Sequence, residues 1–236
     1  FPPRPDSARF VSDFLGLGRD LPGELSEFSG DSALMRSVSA CRGLKLTRQE
    51  PFECLLAFMI SQNNNIPRIR STLLRLSDRF GEKVAAGDAE FSVFPSPARL
   101  AKASVSELRA CGLGYRAEYV RSMARAVCDG FGLSAIGSMD YHCAKARLME
   151  LRGVGEKVAD CVLVFGYGFG EAFPVDLWMA RIMRRHYVKR RMSGKKISEY
   201  GRRRFGNKAA VVHEFLFANR ERLCAPMSKA KRKRRD

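Results

Sequence analysis

The sequence predicts an all-α fold built as two helical lobes. Three observations carry that expectation: about nine stretches with helical spacing or a helix-start signal, weak strand signals throughout, and brief Gly- or Pro-containing turns between the helical stretches. With 236 residues, the chain can form one or two domains with a sizeable core.

Taken in order, Pro51 suits the first turn of a helix over PFECLLAFMISQ. Residues 66–80 carry apolar side chains at 66, 69, 73, 76 and 80 and stop at Gly81, a helical period with a terminator. Ser96-Pro97 starts a short helix, and Ser104 with Glu107 forms a capping-box pattern before another. Residues 115–127 follow the turn CGLG and read as helix. Asp140 caps YHCAKARLMEL, Asp176 precedes LWMARIMRRHY, and a last long helix is expected over about 207–223. The segment KRRMSGKKISEYGRRRFG, 189–206, reads as an exposed basic loop. No internal repeat is visible. The expected organisation is an N-terminal segment, 1–55, packing with a C-terminal lobe of 159–224, a central lobe of 56–158, and a basic, disordered tail from 225 to 236.

The net charge is +17, and two stretches supply nearly all of it: twelve Lys/Arg against one acid over 181–208, and six against one over the last eight residues, KAKRKRRD. A polyanion is the natural partner, nucleic acid above all, although the tail on its own also fits a solvated segment. No apolar run reaches the roughly 18 residues of a membrane span, so no membrane association is expected. The seven cysteines are odd in number, widely spaced and without a CxxC pair. That pattern implies no disulfide framework, no zinc site and no iron–sulfur cluster, and the default is reduced intracellular thiols.

The most informative stretch is LRGVGEKVADC, 151–161. A helix stops at Gly153, and another starts two residues later. Glycines permit the turn, and the N–H groups of the turn and of the next helix start have no intrahelical partner. With the helix dipole they form an anion cradle suited to a DNA phosphate, so Gly153, Val154 and Gly155 are candidate backbone contacts. An ordinary Gly-terminated helix followed by a new one is the plain alternative. The cradle does not require Lys157. That residue could pair with Asp160 at the surface, or bind a phosphate. It could also act chemically: Lys157 and Cys161 share a helix face, and the loop VFGYGFGEAFPVD can return Asp176, a candidate N-cap, to the start of the Lys157 helix. An amine and a carboxylate on one pocket suggest nucleophilic catalysis with charge stabilisation.

The segments RQEPFECLLAFMISQNNNIPRI (48–69), CGLGYRAEYV (111–120), LRGVGEKVADCVLVF (151–165) and PVDLWM (174–179) occur in the order found in a known family. Over roughly Phe10 to Asn219 the chain resembles the helix–hairpin–helix DNA glycosylases, most of all those acting on 8-oxoguanine. The resemblance implies the two-lobed fold of that family, with its active site in the cleft between lobes. It also implies excision of 8-oxoguanine, preferably opposite cytosine, from double-stranded DNA. Lys157 would attack C1′ of the damaged nucleotide and form a Schiff base, which permits β-elimination at the abasic site. Its amine must be neutral to attack, so burial near other cations is expected to lower its pKa. Asp176 would stabilise the charge developing on the sugar, and Cys161 would lie against the flipped base. Asn63 would enter the gap, Arg68 and Arg116 would hydrogen-bond the estranged cytosine, and Tyr115 would wedge beside it. Each of these also has a plain reading: a turn for NNN, a solvent-facing helix residue for Arg68, a core aromatic for Tyr115. The route needs no cofactor and no metal, and a monomer is expected.

Three departures bear on which base is removed. The N-terminal antiparallel-sheet domain of the larger members has no counterpart in this sequence. Trp178 stands where histidine is frequent. His213 stands where a glutamine usually reads the base edge, with Phe217 one turn later as a stacking aromatic; a satisfied structural histidine is the alternative. Two other functions stay open at this level: the same chemistry on another damaged base, and a DNA-binding lesion sensor without turnover. An intracellular setting is expected, nuclear in a eukaryote and cytoplasmic or nucleoid otherwise; KRKRR in the tail fits either nuclear entry or extra grip on DNA.

Overall fold

A computed structural model describes residues 6–225, the side chain of Ala86 excepted. The tail expected from 225 onward lies outside the described residues apart from Ala225. The described chain is mostly helical and falls into two compact units. One holds residues up to 18 together with 47–169; the other holds 19–46 and the described residues from 170 onward.

The first unit is organised on the helix Pro51–Ser61. Pro51 starts it, and the Glu50 carboxylate accepts the Glu53 N–H at 2.8 Å. Phe52, Cys54, Leu55, Leu56, Met59 and Ile60 are all buried, and a helix apolar nearly all round must be central. Against it pack Ile66–Phe80, Arg116–Cys128 and Glu156–Val162. The capping box and the Asp140 cap read from the sequence are the ones used, and the structure adds a cap the sequence reading did not name. Asn65 caps Ile66–Phe80, and Ser104 and Glu107 form the capping box, with Glu107 N to Ser104 Oγ at 3.2 Å and Ser104 N to Glu107 Oε2 at 3.0 Å. Asp140 caps Tyr141–Met149. In Ile66–Phe80 the apolar stripe is only partly used: Leu76 is buried, but Ile66 is 74 % exposed.

Three features correct the sequence expectation. A two-stranded antiparallel hairpin, Lys83–Ala86 with Ala89–Ser92, joins the helices of the first unit. Its strands have four residues each and expose Val84 and Phe91, so periodicity alone misses them. The two-residue turn Gly87-Asp88, with Gly87 at φ +61°, is the signal that marks it. The second correction is larger. Residues 189–206 are not a loop, for Gly194–Phe205 is a helix capped by Ser193. It buries Ile197, Gly201 and Phe205 at i, i+4 and i+8, a stripe its basic residues mask in the sequence. Third, the last long helix is broken at Asn219 into Ala209–Ala218 and Arg220–Cys224.

In the second unit, Ser32–Ala40, Leu177–His186, Gly194–Phe205 and Ala209–Ala218 surround Phe173, Phe205 and Phe215. The Phe173 ring lies across Gly201, where a Cβ would come within 2.6 Å of it. The Gly194–Phe205 helix is therefore packed through its glycine.

Candidate functional site

The hairpin joins Tyr141–Met149 to Glu156–Val162. Gly153 has φ +91°, and a Cβ there would meet the Tyr119 ring at 2.7 Å, so both conformation and space demand glycine. Val154 is buried and donates its N–H to the Leu151 carbonyl at 2.9 Å. Gly155 is exposed at the N-cap, and among the described residues no side chain caps the helix that follows. The first amides of that helix are thus left for an external acceptor, as the cradle reading expects.

Lys157 sits at the second position of Glu156–Val162 and is half-buried. Its Nζ lies 3.3 Å from Ser61 Oγ and 5.0 Å from the centroid of Phe58. Phe58 in turn stacks on Phe165 at 5.5 Å. The surface pairing with Asp160 does not form. Asp160 is 1 % exposed; it accepts from Tyr141 OH at 2.6 Å and from Lys145 Nζ at 3.0 Å. Lys145 also reaches Glu156 at 2.5 Å. This cluster joins the two helices of the hairpin by charge. Burial alone would push the Lys145 ammonium down, but the Asp160 carboxylate and its other hydrogen bonds raise it overall. Burial, and then Asp160, push the Tyr141 phenol up to about 12, which keeps it a donor. Lys157 is left out of this network, with an apolar ring and a hydroxyl as its neighbours. Cys161, one turn later, is buried. Burial, with that thiol nearby, pushes Cys54 up.

A second group forms where the chain leaves Pro51–Ser61. Asn63 adopts φ +47°, and its Nδ2 lies 3.5 Å from Tyr115 OH. Arg116, 6 % exposed, donates from Nη2 to the carbonyls of Gln62 and, at 3.2 Å, of Asn63. Its guanidinium lies 4.5 Å from the Tyr115 centroid, and Tyr115 is itself 50 % exposed. Asn63 therefore meets the adjacent pair Tyr115 and Arg116, more than fifty positions away. Arg68 does not join them; it is exposed, and its side chain makes no hydrogen bond or ion pair among the described residues. Gln62 donates to the Gly153 carbonyl at 3.0 Å and so links this group to the hairpin. Gln62, Phe58, Ser61 and the Tyr141–Lys145–Asp160 cluster were not singled out by sequence reasoning. Only the position of the first three, within the segment 48–69, hinted at them.

The remaining candidates lie in the second unit. Asp176 caps Leu177–His186, with Oδ1 accepting the Met179 N–H at 2.7 Å, and is half-buried. Its cap role leaves carboxylate lone pairs unused. His213 is buried and its Nδ1 lies 2.9 Å from Glu214 Oε1. It stacks on Phe217 at 5.9 Å and meets Phe173 edge-on at 5.4 Å. The Arg220 guanidinium lies 4.6 Å from the Phe217 centroid.

Comparison with known proteins matches these features to a family. The model for the HhH-GPD superfamily of base excision DNA repair proteins covers residues 56–206, which include the hairpin, Lys157 and Asp176. A probable N-glycosylase/DNA lyase of Methanothermobacter thermautotrophicus is 33 % identical, the match covering 83 % of this chain and 69 % of that protein. The N-glycosylase/DNA lyase OGG1 of Arabidopsis thaliana is 36 % identical over 73 % of this chain; the match spans about half of that relative, 49 %. The Clostridium acetobutylicum 8-oxoguanine glycosylase/lyase, crystallised with double-stranded DNA containing cytosine opposite 8-oxoguanine, superposes with a TM-score of 0.87 at 32 % identity, covering 92 % of this chain and 76 % of that one. The 3-methyladenine DNA glycosylase of Archaeoglobus fulgidus is similar at 28 % identity and a TM-score of 0.75, over 91 % and 74 %. By its hairpin and by these matches, the chain belongs to the HhH-GPD superfamily of base excision DNA repair proteins.

Proposed function

We propose that this protein is a bifunctional DNA N-glycosylase and abasic-site lyase that removes 8-oxoguanine opposite cytosine. The observation that carries the reading is the setting of Lys157. It is the second residue of an uncapped hairpin helix and stands outside the neighbouring salt-bridge network, in a chain similar throughout to glycosylase/lyases. The neutral amine forms a bond to C1′ as the glycosidic bond breaks, and the electron pair leaves with the base. The sugar ring opens to an imine. Loss of a C2′ proton then expels the 3′ phosphate. Asp176 is assigned the positive charge that develops on the sugar. Asn63, Arg116 and Tyr115 are assigned the gap left by the extruded nucleotide and its estranged cytosine, and Arg68, which stands apart from them, is assigned to that cytosine as well. Gly153, Val154 and Gly155 offer backbone N–H groups to a phosphate, and Cys161, His213 and Phe217 are assigned to the base.

Borohydride trapping on a duplex with one 8-oxoguanine·cytosine pair tests the chemistry. The unmodified protein should give a covalent adduct, and Lys157→Ala none; an adduct that persists in the variant would remove Lys157 as the nucleophile. Because His213 is already engaged by Glu214 and two phenyl rings, the base itself is tested separately. Single-turnover excision across a panel of oxidised and alkylated bases should be fastest on 8-oxoguanine. Tight binding with every lesion left in place would favour a sensor.

A further inference from the structure

Beside the hairpin, in the first unit, lies an open cavity of about 420 Å³. Arg121, Arg125 and Arg152 line it, with Glu118 and Asp129. Arg121 and Arg125 stand one turn apart on Arg116–Cys128, and Arg152 immediately precedes Gly153. Glu118 is already engaged: Arg109 holds one of its oxygens at 3.0 Å, and the other is 4.0 Å from Arg152. Arg125 uses Nε on the Ala101 carbonyl at 3.4 Å. Arg121 Nε is shut off from solvent and has no hydrogen-bond partner among the described residues. Arg152 instead lies 5.4 Å from the centroid of Tyr119, the ring that fills the space over Gly153.

Three guanidiniums against two carboxylates leave one positive charge in excess around a solvent-open cleft. That balance suits a singly charged, fork-accepting anion, and on a chain proposed to bind DNA a phosphodiester is the abundant anion with those properties. The geometry points to a second DNA-backbone site: the cavity receives a phosphodiester of the duplex strand next to the phosphate held at the hairpin. This rests on the proposed DNA substrate and adds to it a set of side chains outside the base-excision machinery.

The test measures binding to an undamaged duplex, so its outcome is independent of base removal. For the double variant Arg121→Gln/Arg152→Gln, the plot of log affinity against log salt should fall by about 0.9 in slope for each phosphate no longer neutralised, or about eightfold in affinity at 0.1 M salt relative to 1 M for one phosphate. Arg36→Gln, an exposed arginine of the other unit, should not reproduce the effect. Duplexes carrying one neutral methylphosphonate at a time give a readout on the unmodified protein. One position should weaken its binding and leave the double variant's binding unchanged. Where the double variant folds poorly, the single variant Arg152→Gln, at an exposed position, takes its place in both arms. An unchanged salt slope, or methylphosphonates that act equally on both proteins, would overturn the site. Inorganic phosphate, titrated at constant ionic strength, should compete with DNA only weakly. Strong competition that disappears in the double variant would mean a free-phosphate site and overturn the backbone assignment. If the unmodified protein shows no salt-dependent duplex binding at all, the DNA-repair reading itself fails.

Discussion

Asn63 is the only non-glycine residue with positive φ among the described residues, at +47°. Side chains resist that region by roughly 1–2 kcal/mol, and asparagine resists it least. The strain is held by Arg116, whose guanidinium takes the carbonyls of Gln62 and Asn63. Two substitutions therefore separate backbone from amide. Asn63→Gly should keep stability or gain a few tenths of a kcal/mol, and Asn63→Ala should lose about 1 kcal/mol. Both should relax the preference for cytosine opposite the lesion, read as excision rates opposite each of the four bases. Selectivity retained by Asn63→Gly would remove the amide from recognition. Arg116→Ala should relax selectivity too, and also cost about 1.5 kcal/mol in chemical unfolding, because it strips charged hydrogen bonds from part-buried carbonyls. The identities of these residues and their common place at the gap came from the matching segments; nothing in the spacing of the residues themselves supplied either. A separation of more than fifty positions carries no periodicity, and the left-handed turn at Asn63 is held by Arg116 together with Asn64, whose side chain donates to the Ile60 carbonyl and accepts the Asn65 N–H.

At the scale of elements, the charges that mark the chain as a polyanion binder also concealed a helix. Gly194–Phe205 carries Lys195, Lys196, Arg202, Arg203 and Arg204, and its buried stripe passes through Gly201. Glycine in a helix normally costs about 1 kcal/mol relative to alanine, so propensity predicts that Gly201→Ala stabilises. The Phe173 ring predicts the reverse: a Cβ at 2.6 Å forces a rigid aromatic to move, and the variant should lose about 1–3 kcal/mol in thermal or denaturant unfolding. The hairpin helices make a second case. Motif and glycines were readable, but the Tyr141–Lys145–Asp160 cluster needs side chains fifteen to nineteen positions apart on two helices. Asp160→Asn should cost about 3 kcal/mol, toward the low end for a broken buried pair, because Glu156 still faces Lys145. The sign with pH follows from the raised Lys145 value. Its contribution is full below the ordinary lysine pKa and is lost only as pH rises through the higher folded one. The unmodified protein should therefore shed stability in strong alkali, and Asp160→Asn should shed less there.

For the molecule as a whole, the charge distribution was legible directly from the residues, whereas the division of the chain was expected only through the resemblance. Residues 19–46 group with those from 170 onward while residues up to 18 group with 47–169, and the bounds of such a return leave no mark in local composition. The net charge of +17 makes a different kind of claim, since electrostatic attraction to a duplex depends on the number of cations more than on their placement. The last eight residues contribute six basic side chains and one acid, outside the segments that carry the proposed chemistry. Deleting 229–236 should therefore act on encounter and affinity alone. The salt slope of duplex binding should fall by about 0.9 for each phosphate that the tail neutralises, and the association rate should slow most at low salt. The single-turnover excision rate at saturating protein should stay unchanged, because the barrier at C1′ belongs to Lys157 and its neighbours. A rate that falls at saturation while affinity holds would place the tail in the chemical step instead, and the separation of grip from chemistry on which the proposed function is built would no longer stand.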